Sequence, residues 1–194
     1  IKGVRQVLHG ASTPPGYCLQ PSFVKSVQLL GDLGLRYDLC LRPAELGDAV
    51  KLVEQCPGTQ FILDHCGNAD FYTVADSSGA TTPERSDPMW HTRQQWMDDI
   101  RALADRPNVV CKISGIIARA RAGDWTATDL APTINHCLDS FGPDRVIFGG
   151  DWPVCTLGAP YAAWVNALKI VIGNRSEEEQ RKLLAENAAR IYGV

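Results

Sequence analysis

The sequence predicts an α/β chain built on a parallel sheet, and three observations carry that prediction. Five short β-rich runs alternate with helical patterns, with no two strand-like runs in succession that would make a hairpin. The third run, Phe61-Ile62-Leu63, is apolar on both faces, as strands are when helices cover the sheet. Several runs then end in polar, chemically versatile residues, where parallel α/β folds gather their chemistry. A doubly wound open sheet and a (β/α)8 barrel both satisfy this pattern. The phosphate fingerprints G-x-G-x-x-G and G-x-x-x-x-G-K-[ST], which favour a nucleotide-binding open sheet, are absent.

The elements follow in order. The first strand covers residues 4–9. A Thr13-Pro14-Pro15-Gly16 loop leads into a helix over 22–33, with Val24, Val27, Leu29 and Leu30 on its apolar face. The second strand covers 35–41 and stops at Pro43. Residues 44–54 form an amphipathic helix through Leu46, Ala49, Val50 and Val53, ended by Pro57-Gly58. The third strand covers 60–65. A polar stretch over 67–89, containing Asp76-Ser77-Ser78-Gly79, is too long for an ordinary connection and reads as functional or disordered. A helix over 90–103 buries Trp96, Ile100 and Leu103. The fourth strand covers 109–115, and a helix over 129–141 follows with Thr128 as its N-cap. The fifth strand covers 146–151. Helices over 161–172 and 176–192 finish the chain, the second opened by a capping box of Ser176 and Glu179.

Composition excludes several classes. The 194 residues form one domain, and a chain of this length can bury a core without disulfide or metal staples. A net charge of -3 leaves no basic excess for nucleic acid. No apolar run approaches the ~20 residues of a membrane helix. The seven cysteines are odd in number and show no C-x-x-C spacing, which argues against a secreted disulfide framework or a zinc ribbon. Cys40 and Cys111 sit in apolar runs, where a thiol acts as a small hydrophobe. A cytoplasmic setting and a small-molecule partner are the expectation, with a homo-oligomer left open.

Chemistry is concentrated at the strand ends. His9 closes the first run, Asp64-His65-Cys66-Gly67 the third, Lys112-Ile113-Ser114-Gly115 the fourth, and Gly149-Gly150-Asp151-Trp152-Pro153 the fifth. His65 and Asp151, on different parallel strands, can converge to hold a metal or to orient and deprotonate a water. Taken singly, each has a structural explanation: a satisfied core histidine, or a carboxylate capping a turn. Together they favour function, because a carboxylate after five nonpolar residues calls for a reason. Gly149 and Gly150 would let the backbone approach a ligand closely. Asp64 points opposite to His65 by alternation and reads as a cap or a helix-directed ion pair. His91 and His136 read as packing or surface residues, and Lys112 as structural. Arg5 shares parity with Val7 and His9, and an inward arginine suits an anionic or carboxylate-bearing substrate.

At these residues the sequence resembles the amidohydrolase-related (amidohydrolase 2) family. Gly3-Val4-Arg5, the run from Phe61 through Leu63-Asp64-His65-Cys66-Gly67, the run Val109-Val110-Cys111-Lys112-Ile113-Ser114-Gly115, Phe148-Gly149-Gly150-Asp151-Trp152-Pro153, and the ending Glu186-Asn187-Ala188-Ala189-Arg190 appear in order over nearly the whole chain. The chain looks most like the branch of sugar-acid and pyrone-dicarboxylate lactonases. The resemblance implies a (β/α)8 barrel of which residues 1–194 hold the last five βα units. The missing front would be about 90 residues, at roughly 30 per unit. It implies catalytic roles for Asp151 and His65, which are also the metal ligands. Arg5 stands where relatives bind carboxylated lactones, and His9 and Trp152 complete the substrate-binding set. A divalent metal, zinc first, is implied, although pyrone-type relatives work without one. The family's H-x-H pair occurs nowhere in this chain, and Gln6 and Gly67-Asn68-Ala69 replace residues common in relatives.

The expected activity is hydrolysis of a lactone of a sugar acid or an aromatic-degradation intermediate, with residues 1–194 alone inactive. The alternatives are a nonoxidative decarboxylase of the same superfamily and a noncatalytic fragment serving as an interaction surface.

Overall fold

The computed structural model describes residues 1–76, 84 and 86–194; Ser77, Ser78 and Gly79 of the long polar stretch lie outside them. Five strands, β1 (Gly3–Val7), β2 (Arg36–Cys40), β3 (Gln60–Leu63), β4 (Val109–Ile113) and β5 (Val146–Phe148), form one sheet in the order of the chain. Every neighbouring pair is parallel. This is five-eighths of the barrel that the sequence predicts, with β1 and β5 at the two edges. Val4 and Val7 stand exposed on the β1 edge.

The strands are alternately lined on two faces, as a period of two requires. One face sends Leu39, Phe61, Leu63, Val109, Cys111, Ile113 and Val146 into the helices, where they join Leu46, Leu52, Trp96, Ile100, Ile134 and Trp164 in the main core. The inner face carries a smaller apolar layer of Ile62, Val110 and Ile147. The Asn187–Tyr192 helix covers this layer with Ile191. Asn187 fixes that helix by donating to the carbonyls of Pro143 and Val146, at 2.7 and 2.8 Å. Above the apolar layer the inner face turns polar: Arg5 is in register with Asp38, and Asp64 and Lys112 lie two residues beyond Ile62 and Val110.

The helices follow their sequence signals, with three shifted starts; the helix expected from residue 44 begins at Leu46, after a 3-10 turn over Pro43–Glu45. Pro21 at the first position opens the Pro21–Asp32 helix, and Gly34, at φ 67°, ends it. The helix expected from residue 90 begins at Arg93, because the Thr92 side chain accepts from the Gln95 amide. The helix expected from residue 129 runs Ala127–Phe141, and its cap is Thr126 rather than Thr128. The Asp129 carboxylate accepts from both the amide and the hydroxyl of Thr126, which stabilises the earlier start. The Ser176–Glu179 box forms as expected. The last helical stretch is interrupted by a π turn over Lys182–Glu186. All seven cysteines are free and buried, and burial pushes the Cys40 thiol up to about 11. Among the described residues, no helix is long and apolar enough to cross a membrane.

A buried histidine holds the segment around Asp70, after β3. Phe71–Ala75 is a short helix capped by Asp70. The Asp70 amide donates to His91 Nε2 at 2.9 Å, and His91 Nδ1 lies 3.2 Å from the Thr92 carbonyl. These bonds specify one neutral tautomer. Burial holds the His91 imidazole below its ordinary value, so folding favours the unprotonated ring. The linked stability is complete above the unfolded pKa of about 6.5 and is lost as pH falls below it. His91→Gln should therefore flatten the acid limb of stability by up to about 1.4 kcal/mol per pH unit, read as the wild-type-minus-variant difference in urea unfolding between pH 8 and 5. Parallel curves would contradict this assignment.

Candidate active site

The site begins with a fully buried carboxylate. Asp64 is 0% exposed, and its two oxygens take Arg5 Nη1 at 3.1 Å and Lys112 Nζ at 2.6 Å. Lys112 also reaches Asp38 at 3.1 Å. Two carboxylates and two cations from β1, β2, the end of β3 and β4 thus close a neutral network on the inner face. This corrects the expectation that Asp64 caps a turn or reaches a helix: its parity is opposite to a helix-facing position, and the inner face holds the cations it needs. Burial alone would lower the Lys112 ammonium, but the charges of Asp64 and Asp38 prevail and raise it. Asp38 is raised by its own burial, against the pull of Lys112. The hydrogen bond to Asp64 raises Arg5.

His65 would point at the helices if the strand continued. It does not continue. His65, Cys66, Gly67 and Asn68 all adopt positive φ, at 55°, 52°, 69° and 56°. Three of them carry side chains that make this conformation costly, so surrounding contacts must hold it. The Gly67 amide donates to the Asp64 carbonyl, Trp96 Nε1 to the Cys66 carbonyl at 2.9 Å, and Asn68 Nδ2 to the Leu41 carbonyl at 2.7 Å. The left-handed turn swings the His65 ring to the inner side. There its Nδ1 meets Ser114 Oγ at 2.9 Å, and its Nε2 lies 3.9 Å from Asp151 Oδ1. Asp151 is itself at φ 52°. Both side chains are 15% exposed.

These two residues border a cavity of about 360 Å³. Arg5 and His9 line it too, so four of the five residues singled out from sequence converge. Burial, and then the nearby His65, lower the His9 imidazole. Trp152 is 73% exposed and is not among the lining residues. Sequence reasoning missed Arg119, which lines the cavity and is anchored to Asp87 at 2.7 Å. It lies beyond the β4 end in a segment with no periodicity to mark it. The glycines before Asp151 make room for protein rather than ligand. A Cβ on Gly149 would meet Ser114 Cβ at 3.0 Å, and one on Gly150 would meet Tyr161 Cε2 at 2.6 Å.

His65 Nε2 and Asp151 Oδ1 form a nitrogen–oxygen donor pair facing one cavity, suited to a divalent ion such as zinc. Their separation is slightly wider than two ligands of one tetrahedral ion require, within reach of a small side-chain adjustment. Cys40 and Asp64 also lie close to His65, but both Asp64 oxygens are already engaged.

Parallel strands thus bring a histidine and a carboxylate to one cavity at their C-terminal ends, where barrel-type α/β folds place their sites. The chain belongs to the amidohydrolase family, whose model matches residues 2–194. It is 28% identical over its whole length to an L-fucono-1,5-lactonase of Burkholderia multivorans, covering 63% of that protein. It is 24% identical to an L-rhamnono-gamma-lactonase of Scheffersomyces stipitis, again over its whole length and covering 59% of that protein. Its fold superposes with a TM-score of 0.82 on a crystal structure of a zinc-bound amidohydrolase from Burkholderia multivorans, at 27% identity. That match covers all of this chain and 65% of the other. The chain therefore spans less than two thirds of the length of these relatives.

Replacing Lys112 with Met should destabilise the fold by about 3–5 kcal/mol, since it leaves the buried Asp64 with Arg5 alone and the half-buried Asp38 beside it without an ion-pair partner. The added change Asp38→Asn should recover part of that loss in urea unfolding. A Lys112→Met protein of unchanged stability would show the network to be energetically idle.

Proposed function

We propose that the protein hydrolyses a lactone of a sugar acid. The observation that carries this reading is the convergence of His65 and Asp151 on one cavity from the ends of β3 and β5. The lactonases among the relatives support the substrate class.

Asp151 is the proton shuttle in this reading. Its carboxylate takes a proton from water as the water oxygen adds to the lactone carbonyl. When the tetrahedral centre collapses, the ring C–O bond breaks, and the same carboxyl returns the proton to the departing alkoxide. The product is the open hydroxy acid, and Asp151 ends as it began. Arg5 and Arg119 place positive charge along the cavity, where it meets the developing oxyanion and the acid product. Asp64 holds Arg5 from behind, leaving the remaining guanidinium N–H groups for substrate. His65 and Asp151 would hold a divalent ion, zinc by analogy with the zinc-bound relative. Such an ion supplies Lewis acidity toward the carbonyl and acidifies water.

The test is hydrolysis of a sugar-acid lactone panel followed by proton release, run on the longest natural protein that carries residues 1–194. Asp151→Asn should lower kcat about 10²–10⁴-fold with little change in KM, because Asn keeps the shape but accepts no proton. Metal analysis of the variant separates the two roles of Asp151: lost metal marks a ligand, and retained metal with lost turnover marks a base. Near-normal kcat in Asp151→Asn would overturn the reading.

A further inference from the structure

We propose that Ser114 is a positioning residue for His65: its hydroxyl oxygen accepts the Nδ1–H of His65 and so leaves the Nε2 lone pair facing Asp151 and the cavity. The proposal rests on the reading of His65 as a site residue given above.

Four features of the structure support it. Ser114 Oγ lies 2.9 Å from Nδ1, and among the described residues it is the one hydrogen-bond partner of the ring. Asp151 Oδ1, at 3.9 Å from Nε2, is outside hydrogen-bonding distance. Ser114 is 1% exposed, so no bulk water competes for its hydroxyl. Lastly, the end of β4 is shaped around the ring. Gly115 is at φ 66°, and a Cβ there would sit 2.4 Å from His65 Nδ1. A side chain at 115 would evict the imidazole from the place where Ser114 can reach it.

The position of Ser114 follows from the strand. It lies two residues beyond Lys112, on the same inner face, and so one step further toward the cavity. His65 arrives from the left-handed turn of another strand, with a backbone conformation that gives its ring no regular frame. A hydroxyl fixed by β4 supplies that frame. The direction of that bond sets the tautomer, and in this proposal the hydroxyl accepts. With the proton on Nδ1, Nε2 is an acceptor able to meet a cation or a water proton. With Ser114 donating instead, Nε2 would carry the proton, and the cavity would face a donor with no lone pair.

The experiment reads the tautomer directly. Long-range ¹H–¹⁵N correlation spectra of the labelled chain are recorded well above the ordinary imidazole pKa of about 6.5. The chain has four histidines, and His65→Gln identifies the signals of this one. In the wild type, His65 should show the Nδ1–H pattern. In Ser114→Ala it should move to a mixture or to the Nε2–H form, with the other histidines and the unfolding midpoint little changed. Zinc affinity, measured by chelator competition, should fall about 10–100-fold in the same variant. An Nε2–H pattern in the wild type, or an unchanged tautomer in Ser114→Ala, would overturn the proposal. A protein that keeps the Nδ1–H form through Ser114 yet takes up no zinc and opens no lactone would retain it and defeat the lactonase reading instead.

Discussion

The Asp64 carboxylate is the interaction on which the site depends. It is removed from water and joined to Arg5 of β1 and Lys112 of β4, while Lys112 also joins Asp38 of β2. A buried charge is tolerated only when such partners surround it, and their directions are fixed by the strands that carry them. The network therefore ties the C-terminal end of β3 to its neighbours at the point where the chain leaves the sheet. His65 is the next residue. Movement of the Asp64 backbone would displace the imidazole, and movement of its carboxylate would release the Arg5 guanidinium.

A second constraint is conformational. Four consecutive residues after Asp64 have positive φ, and Asp151 at the other side of the site is left-handed as well. Such conformations are disfavoured for residues with a Cβ and persist only when packing and hydrogen bonds determine them. Trp96, buried in the helix layer, donates to the carbonyl of Cys66, so the outer core holds the turn. The Arg93–Ala104 helix is thus part of the support for the site although it does not border the cavity.

The two layers of the inner face divide the work. Ile62, Val110 and Ile147, covered by Ile191, seal the lower part against water. The ionic layer lies above them, and the cavity above that. A polar cavity resting directly on an apolar layer would leave Arg5 without a partner on its buried side. Asp64 meets that need, while almost half of the Arg5 side chain remains exposed for the cavity.

The sequence by itself determined the strand and helix order, the parallel sheet, and the shared end at which His65 and Asp151 appear. Those features follow from periodicity and from the length of apolar runs, which are local properties of the chain. Local signals also located the Ser176–Glu179 cap, but they misplaced the Thr126 cap, because two threonines two residues apart compete for one helix start. Only the tertiary structure decided the role of Asp64, the inward turn of His65 and the contribution of Ser114. Alternation places Asp64 and His65 on opposite faces, and nothing in the residue order shows that the chain abandons strand geometry between them. That change is imposed by contacts with Trp96, Leu41 and Ser114, which lie 27 to 49 residues from their partners in sequence and meet this turn only when the sheet is assembled.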